Sequence, residues 1–344
     1  MAGGLFELRK DSITGWWVAV VVDREYEKAR FHRPAQHRGQ SVDDCANCGV
    51  AALDTVRLRM LKPEAFIVAG TEREKESEED GREPALGLVG DAGSWQTIVA
   101  PRGHHESLAG TTPRICFDLL AHTRDVLTFA REQERTDYLQ VVQNYGRQAG
   151  ALTDHLCLDF YDLPQIPHRV GEELGGAARY VIREGICPFC RLVRDEVANP
   201  SRLVYEDAAS VAFAPYASRS PFELWVVPRH HNADFGTATD AQLVSAAETL
   251  QSVLRLLATL GDPAYNLILH TAPLRQRVEE TYHWHWEIHP RLREIAGLEL
   301  GTGLPVNPVS PEEATRELLA SAKAEAIDTG VSPGPRSWDD FGDR

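Results

Sequence analysis

The chain has 344 residues, of which 43% are hydrophobic and 25% charged, and its formal net charge is −15. This length and apolar content support two domains, or one large one, with a buried core. The negative charge argues against a surface that wraps nucleic acid, because phosphate backbones require basic patches. A nucleotide bound here is therefore expected to be a small-molecule substrate.

The N-terminal residues, MAGGLFELRKDSITGWW, lack the apolar run of a signal peptide. No stretch of about 18 apolar residues suggests a membrane span. We therefore expect a cytoplasmic protein that has no membrane partner. In that compartment cysteines are more often metal ligands than disulfides.

In chain order, the first cysteine pair is Cys45 and Cys48, within DDCANCGV, and His104 follows in APRGHHESL. The amphipathic segment ICFDLLAHTRDVLTFAREQ predicts a helix, and YLQVVQNYG predicts a strand. The segment HLCLD, which begins at His155, comes next. This order of parts matters because it occurs a second time.

The second copy begins with Cys187 and Cys190 in GICPFCRL and continues with His231 in VPRHHNADF. A predicted helix, DAQLVSAAETLQSVLRLLATL, a strand, YNLILHTAP, and the segment HWHWE from His283 follow. The number of residues between the two histidines is nearly the same in each half. The pattern indicates an internal duplication of a unit of roughly 140 residues.

Each unit offers two cysteines and two histidines, and four nitrogen and sulfur ligands suit tetrahedral zinc in a closed, structural site. We predict two zinc ions, with iron as an alternative at one site. His105 and His230 are alternative candidates for the ligand role. We prefer His104 and His231, because each stands four residues before an apolar residue. The alternative is that these are ordinary residues and the cysteine pairs are incidental. The predicted ligands are Cys45, Cys48, His104 and His155, and Cys187, Cys190, His231 and His283.

The segment TYHWHWEIHPRL places His283, His285, Glu287 and His289 on every second residue. A period of two predicts a strand with one polar and one apolar face. Pro290 also disfavours a continuing helix. In the first half, HLCLD repeats the alternation with a histidine, a cysteine and an aspartate.

These motifs resemble the galactose-1-phosphate uridylyltransferase family of the histidine-triad (HIT-like) superfamily. The resemblance covers nearly the whole chain, through LRKDSITGWWVAV, QNYGRQAGALTDH, FAPYASRSPFELWVVPRHH, YNLILHTAP and LELGTGLPVNPVSPEEA. It is close in the second half and patchier in the first. It implies an α+β fold of two tandem HIT-like units, each an antiparallel sheet flanked by helices, that form a pseudo-dimer.

The resemblance also implies a double displacement. A histidine attacks the α-phosphate of a nucleotide sugar, and a sugar 1-phosphate then accepts the nucleotide. Imidazole suits this role because it is neutral and nucleophilic near neutral pH. The family pattern H-P-H-x-Q is replaced here by His155-Leu156-Cys157-Leu158-Asp159, so Cys157 occupies the nucleophile position and Asp159 that of the phosphate-binding amide.

Three interpretations of Cys157 stay open. A thiolate replaces imidazole as the nucleophile, or the substrates react directly in a pocket that positions them, or the residue is inert and the first site is inactive. Asp159 argues against an unchanged phosphate pocket, because a carboxylate repels phosphate.

In the second half, His285 and Glu287 stand at the positions of the nucleophile and the amide, and the alternative is a structural role for this strand. We count Cys157, Asp159, His285 and Glu287 as candidate catalytic residues. The candidate substrate-binding residues are Asn144, Gly146, Arg9 and Lys10. Asn144 and Gly146 could equally form an ordinary turn, and Arg9 and Lys10 could equally be solvated surface cations.

The sequence thus predicts an N-terminal unit over residues 1–170, a C-terminal unit over 171–325 and a flexible tail over 326–344. The predicted function is transfer of a nucleoside monophosphate to or from a sugar 1-phosphate. The alternatives are a nucleotide-sugar hydrolase or phosphorylase that uses His285, and a non-catalytic nucleotide-binding protein. The resemblance further implies a homodimer.

Overall fold

A computed structural model describes residues 6–21, 48, 94–100, 104, 106–132 and 136–332. The described residues form eleven strands and six α-helices. The strands are β1 (Phe6–Lys10), β2 (Trp17–Val21), β3 (Ser94–Val99), β4 (Tyr138–Tyr145), β5 (Cys157–Leu163), β6 (Leu203–Glu206), β7 (Ser210–Phe213), β8 (Leu224–Pro228), β9 (Tyr265–His270), β10 (His285–Pro290) and β11 (Val306–Asn307). The helices are α1 (Pro113–Ala130), α2 (His168–Glu184), α3 (Pro188–Ala198), α4 (Asp240–Ala258), α5 (Gly297–Thr302) and α6 (Pro311–Ala324).

Eight strands form one sheet in the order β3-β5-β4-β9-β10-β8-β7-β6, and every pairing within it is antiparallel. The first-half strands β3-β5-β4 are mirrored by β8-β10-β9 of the second half, and β4 pairs with β9 at the junction. This arrangement confirms the predicted α+β fold of two tandem antiparallel units. The proposed boundary between the units stays a prediction.

Local sequence signals start the long helices. Thr112 caps α1 by accepting a hydrogen bond from the backbone N–H of Ile115, and Pro113 occupies the first turn. Thr239 and Gln242 form a reciprocal capping box at the start of α4. Both helices pack on one face of the sheet, where Leu158, Phe160, Trp284, Trp286, Leu267 and Leu269 belong to the main core.

Among the described elements, the opposite face of the sheet is covered unequally. Helices α2 and α3 pack over second-half strands, in a core that includes Leu174, Phe189, Trp225 and Tyr282. On the first half, the same face carries the partly exposed side chain of Cys157. This asymmetry decides which polar side chains of the sheet a ligand can reach.

A small sheet joins the two ends of the described chain. β2 pairs with β1 in antiparallel and with β11 in parallel orientation. Arg9 of β1 is buried and bonds Glu312 of α6 at 3.0 Å, which ties the N-terminal strand to the C-terminal helix. Within the described ranges, no helix has the length and apolar content that crossing a bilayer requires.

Candidate active site and metal centres

The second cysteine–histidine set forms one compact cluster. Cys187 is the N-cap of α3 and Cys190 lies in its first turn, so one turn of helix brings the two thiols together. The sulfur of Cys190 lies 3.2 Å from Nδ1 of His231 and 3.6 Å from Nδ1 of His283. The four donor atoms all lie within 4.8 Å of one another. Bonds of about 2.0–2.3 Å to one tetrahedral ion place donors at such separations.

The charges at this cluster favour a metal. The hydrogen bond with Cys190, followed by those with His231 and His283, lowers the pKa of Cys187 to about 3, while its partner's pKa is raised. One thiolate therefore exists at neutral pH. Nε2 of His231 lies 2.6 Å from the carbonyl oxygen of Glu279, which can only accept, so Nδ1 is left as the ligand atom.

The first set assembles in the same way. The sulfur of Cys48 lies 3.2 Å from Nδ1 of His104 and 3.7 Å from Nδ1 of His155. Nε2 of His155 lies 3.0 Å from the carbonyl oxygen of Ala100, which again directs Nδ1 toward the thiol. The fourth predicted ligand, Cys45, lies outside the described residues. The thiol of Cys48 and the two imidazoles fit a structural metal ion.

The polar row of the first half is carried by β5. Cys157, Asp159 and Tyr161 share one face, while Leu158 and Phe160 on the other face lie in the core. Cys157 and Tyr161 are half-buried, and the exposed fraction of Asp159 is 8%. The row therefore combines a thiol, a carboxylate and a phenol at a partly accessible surface.

Asp159 is fixed from the neighbouring strand. Thr97 lies opposite it in β3 and donates a hydrogen bond of 2.7 Å to Oδ1. Burial, with the charges of Asp159 and Cys157, raises the pKa of Tyr161 to about 12. A fixed carboxylate at this position disfavours an anionic ligand beside it unless a cation or proton intervenes.

The corresponding row of the second half is enclosed. His285 is fully buried and packs against the rings of Phe189, at 4.9 Å between centroids, and Trp225, at 4.8 Å. Burial lowers its pKa, so the imidazole is neutral. A nucleophile has to reach a phosphorus atom, and the enclosure favours a structural role for His285. Its predicted catalytic role stays a prediction.

Glu287 lies at the centre of a buried ion network. Arg169 donates to its Oε2 at 2.6 Å, and Arg219 and His289 contact the same oxygen at 3.0 and 2.9 Å. Burial alone would raise the pKa of Glu287, but Arg219 and His270 hold it well below its usual range. One carboxylate oxygen thus contacts two guanidinium groups and two imidazoles, an arrangement that is typical of a structural ion network.

A third cluster of donor atoms was not predicted from the sequence. Glu173 of α2, His270 of β9 and His285 lie close enough together to hold a metal ion. Glu173 Oε2 accepts from Nδ1 of His270 at 2.7 Å, and Tyr282 donates to the same oxygen at 3.1 Å. Although burial opposes its charge, the carboxylates of Glu287 and Glu173 raise the pKa of His270 to about 10. The only sequence signal was the end of the strand YNLILH, which places His270 beside the polar row.

The structure separates the predicted substrate-binding residues. Asn144 lies on β4, two residues beyond Val142, which is paired with Asp159, so its side chain belongs to the same face as Cys157. Gly146 has φ +78°, a conformation that favours glycine, and its carbonyl accepts from the turn that follows. Arg9 contacts Glu312 and the carbonyl of Tyr216.

Lys10, the other predicted cation, is exposed, and its ammonium lies 5.6 Å from the ring centroid of Trp17. Arg9 therefore has a structural partner in Glu312, and Lys10 covers an exposed aromatic ring. Neither contact is with the polar row of β5. Their predicted substrate-binding roles are not tested by these contacts and stay predictions.

Comparison with known proteins gives consistent relatives. The chain is 27% identical to ADP-glucose phosphorylase of Arabidopsis thaliana over 338 residues, which covers 90% of this chain and 91% of that protein. It is 25% identical to galactose-1-phosphate uridylyltransferase of Thermotoga maritima over 333 residues, covering 91% and 98%. No family model matches the chain.

A solved structure shares the fold over the same length. The crystal structure of the Arabidopsis thaliana ADP-glucose phosphorylase with bound ADP-glucose superposes with a TM-score of 0.72 at 26% identity, covering 91% of this chain and 98% of that one. Full-length relatives with these two names, and the mirrored sheet, agree with the resemblance seen in the sequence. Over nearly its whole length the chain therefore resembles the galactose-1-phosphate uridylyltransferase-like enzymes of the histidine-triad (HIT-like) superfamily.

Proposed function

We propose that this enzyme transfers a nucleoside monophosphate between a nucleotide sugar and a phosphate-bearing acceptor. The transfer takes place on the partly accessible face of β5 that carries Cys157, which we call the open face. The relatives along the full chain are named for a phosphorylase of ADP-glucose and a uridylyltransferase of galactose 1-phosphate. Both names describe enzymes of nucleotide sugars or sugar phosphates. The observation that carries the proposal is the contrast between the partly accessible Cys157 row and the enclosed His285 row.

In the proposed reaction Cys157 is the nucleophile. Its thiolate attacks the α-phosphorus, a sulfur–phosphorus bond forms, and the bond to the bridging oxygen breaks, which releases the sugar 1-phosphate. An oxygen of the acceptor then attacks the same phosphorus and restores the thiolate. Asp159 lies two residues along the same face, and two residues of strand span about 6.6 Å. Because this is too far for direct transfer, a water molecule carries the thiol proton to Asp159.

A second candidate is direct transfer without a covalent intermediate. The replacement of the family's amide by Asp159 favours it, because a carboxylate beside phosphate suits a pocket in which a cation screens the charge. Phosphoryl transfer depends mainly on positioning and charge neutralisation, so such a pocket can work without a nucleophile. The two candidates differ in whether Cys157 is essential.

The deciding experiment uses ADP-glucose and a UDP-sugar, each labelled at the α-phosphate. The wild type is incubated with each, quenched, and analysed by intact mass and peptide mapping. A label on the Cys157 peptide that is lost in Cys157→Ala, together with turnover, supports the thiolate. Turnover that survives in Cys157→Ala supports direct transfer.

Absence of both label and turnover with phosphate or sugar 1-phosphate acceptors would contradict the proposed function. Cys116→Ala is the matched control, because this cysteine is buried beneath the opposite face and contacts the carbonyl of Ala247. Its removal should leave both the label and the turnover unchanged.

The same proposal includes two structural zinc ions. The cluster around Cys190 supplies two sulfur and two nitrogen donors, and the cluster around Cys48 supplies a thiol and two imidazoles of the same kind. Bound zinc would hold α3 against the sheet and would hold the segment before β5 in place. We further propose a cytoplasmic homodimer with the unit boundary near residue 170. Metal analysis and light scattering test these points.

A further inference from the structure

A chain of hydrogen bonds crosses the junction between the two halves of the sheet. Nε of Arg291 donates to Oδ1 of Asn266 at 2.6 Å. Nδ2 of Asn266 donates to Oδ1 of Asn144 at 2.6 Å and to the carbonyl of Ala149 at 2.8 Å. Asn266 is 8% exposed and lies directly opposite Asn144 in the pairing of β9 with β4.

The chemistry of the two ends fixes the direction of this chain. A guanidinium can only donate and a backbone carbonyl can only accept. Arg291 therefore requires the oxygen of Asn266, and Ala149 requires its nitrogen. With Asn266 oriented in this way, the oxygen of Asn144 has to accept, and the nitrogen of Asn144 is left as the end that donates.

That donating end belongs to the face of the candidate active site. Asn144 follows Val142 on the face that carries Asp159 and Cys157, and it is half-buried. Within the described part of the chain, no acceptor is recorded for its Nδ2. Two N–H donors fixed on this partly accessible face suit the oxygens of a phosphate, which only accept.

We propose that Asn266 and Arg291 are positioning residues that hold the Asn144 amide as a hydrogen-bond donor to the substrate phosphate. This inference rests on the proposed function, because it assigns the phosphate to the face of β5. Both positioning residues come from the second half, whereas Asn144 comes from the first. The second half thus contributes to the site of the first without touching the substrate.

The variant Asn266→Asp reverses the direction of the hydrogen bond between residues 266 and 144, and it hardly changes the side-chain volume. It keeps an acceptor for Arg291 but cannot donate, so the Asn144 amide turns and presents its oxygen to the phosphate. We expect the Kd for the nucleotide sugar to rise about tenfold or more, the worth of one hydrogen bond to a charged group. We expect kcat to change less than KM. Because the carboxylate also loses the bond to the carbonyl of Ala149, the midpoint of thermal unfolding should fall as well, and the double-mutant cycle separates the two effects.

A double-mutant cycle separates positioning from a general structural role. In the background Asn144→Ala, the change Asn266→Asp should cause no further loss of affinity, because its effect acts through Asn144. Arg291→Met should weaken binding, and Arg291→Lys, which still only donates, should restore part of it. If the double variant instead lost affinity by the product of the two single fold-changes, the two residues would act independently and the inference would be overturned.

The direction of the hydrogen bond from Asn266 to Asn144 can also be checked without a ligand. In the protein labelled with ¹⁵N-asparagine, the side-chain amide protons of Asn266 should exchange slowly with solvent and those of Asn144 rapidly. The reverse order would overturn the inference whether or not a nucleotide sugar binds. A wild type with this exchange order that binds neither ADP-glucose nor a UDP-sugar would instead contradict the proposed function.

Discussion

The two halves of the sheet carry the same alternation of polar and apolar residues but place it in opposite surroundings. On β5 the row that begins with Cys157 is partly accessible, whereas on β10 His285 and Glu287 are almost completely buried. In the described part of the chain, α2 and α3 lie over the second half and supply Arg169, Glu173 and Phe189 to its polar row. Under the proposed function, the first copy of this strand pattern serves chemistry, whereas the second copy is part of a buried ion network.

The largest expected effect comes from breaking the enclosed network. Glu287→Gln would leave the cations of Arg219, Arg169 and His270 without their shared carboxylate, which should destabilise the protein by about 3–5 kcal/mol. Asp159→Asn is the matched variant on the first-half row and should cost less, because the amide oxygen can still accept the hydrogen bond from Thr97. Urea unfolding measures both, and equal losses would erase the distinction between the halves.

Removing a metal ligand should have the next largest effect. Cys190→Ala should reduce the bound metal by one equivalent and lower the stability by about 3 kcal/mol when free metal is at a hundredfold its Kd. Cys116→Ala removes a buried thiol that is not a ligand and should leave the metal content unchanged. Elemental analysis and thermal unfolding decide the point. Equal metal content in both variants would contradict the assigned ligands.

The buried His270 predicts a pH dependence. Its pKa in the folded state, about 10, is above the value of 6.5 that it has when unfolded. The corresponding stabilisation is complete below pH 6.5 and is lost as the pH rises through 10, with a slope of about 1.4 kcal/mol per pH unit. Unfolding measured at several pH values should show this slope in the wild type and lose it in His270→Gln. A bound metal at Glu173, His270 and His285 would displace the proton, and the slope would then be absent in the loaded protein.

The smallest expected effect concerns the open row. Asp159→Asn removes a negative charge beside the proposed phosphate position and should tighten binding of ADP-glucose about tenfold, or about 1.4 kcal/mol. This is less than the about 4 kcal/mol expected for two unit charges 4 Å apart at an effective dielectric constant of about 20. Thr97→Val, which removes only the hydrogen bond to the carboxylate, is the control. Titration calorimetry measures both variants. Weaker binding in Asp159→Asn would show that the carboxylate contacts a donor on the ligand.

Sequence patterns predicted the parts of the molecule whose signal is local. The alternation in TYHWHWEIHPRL, the two cysteine pairs and their histidines, and the order of helix and strand were sufficient for the α+β duplication. The full cluster around Cys190, and three of the four predicted ligands around Cys48, are brought together. These features depend on residue types at short, repeated spacings.

Contacts between distant elements were beyond such reasoning. Alternation reports that a strand has two faces but does not say that α2 will cover one of them, so the burial of His285 was not predicted. Glu173 lies in a helix of ordinary composition, and its partner His270 lies about a hundred residues away. Asn266 and Arg291 were missed because only the pairing of β9 with β4 brings them to Asn144.

The most direct test of the central claim is the alkylation rate of individual cysteines, measured by peptide mapping with and without ADP-glucose or a UDP-sugar. We predict that iodoacetamide modifies Cys157 in the free protein and that a saturating nucleotide sugar slows this reaction. The sugar should not change the reaction of Cys187 and Cys190, the proposed metal ligands. An unchanged rate at Cys157 in the presence of a nucleotide sugar that demonstrably binds would contradict the assignment of the substrate to the open face of β5.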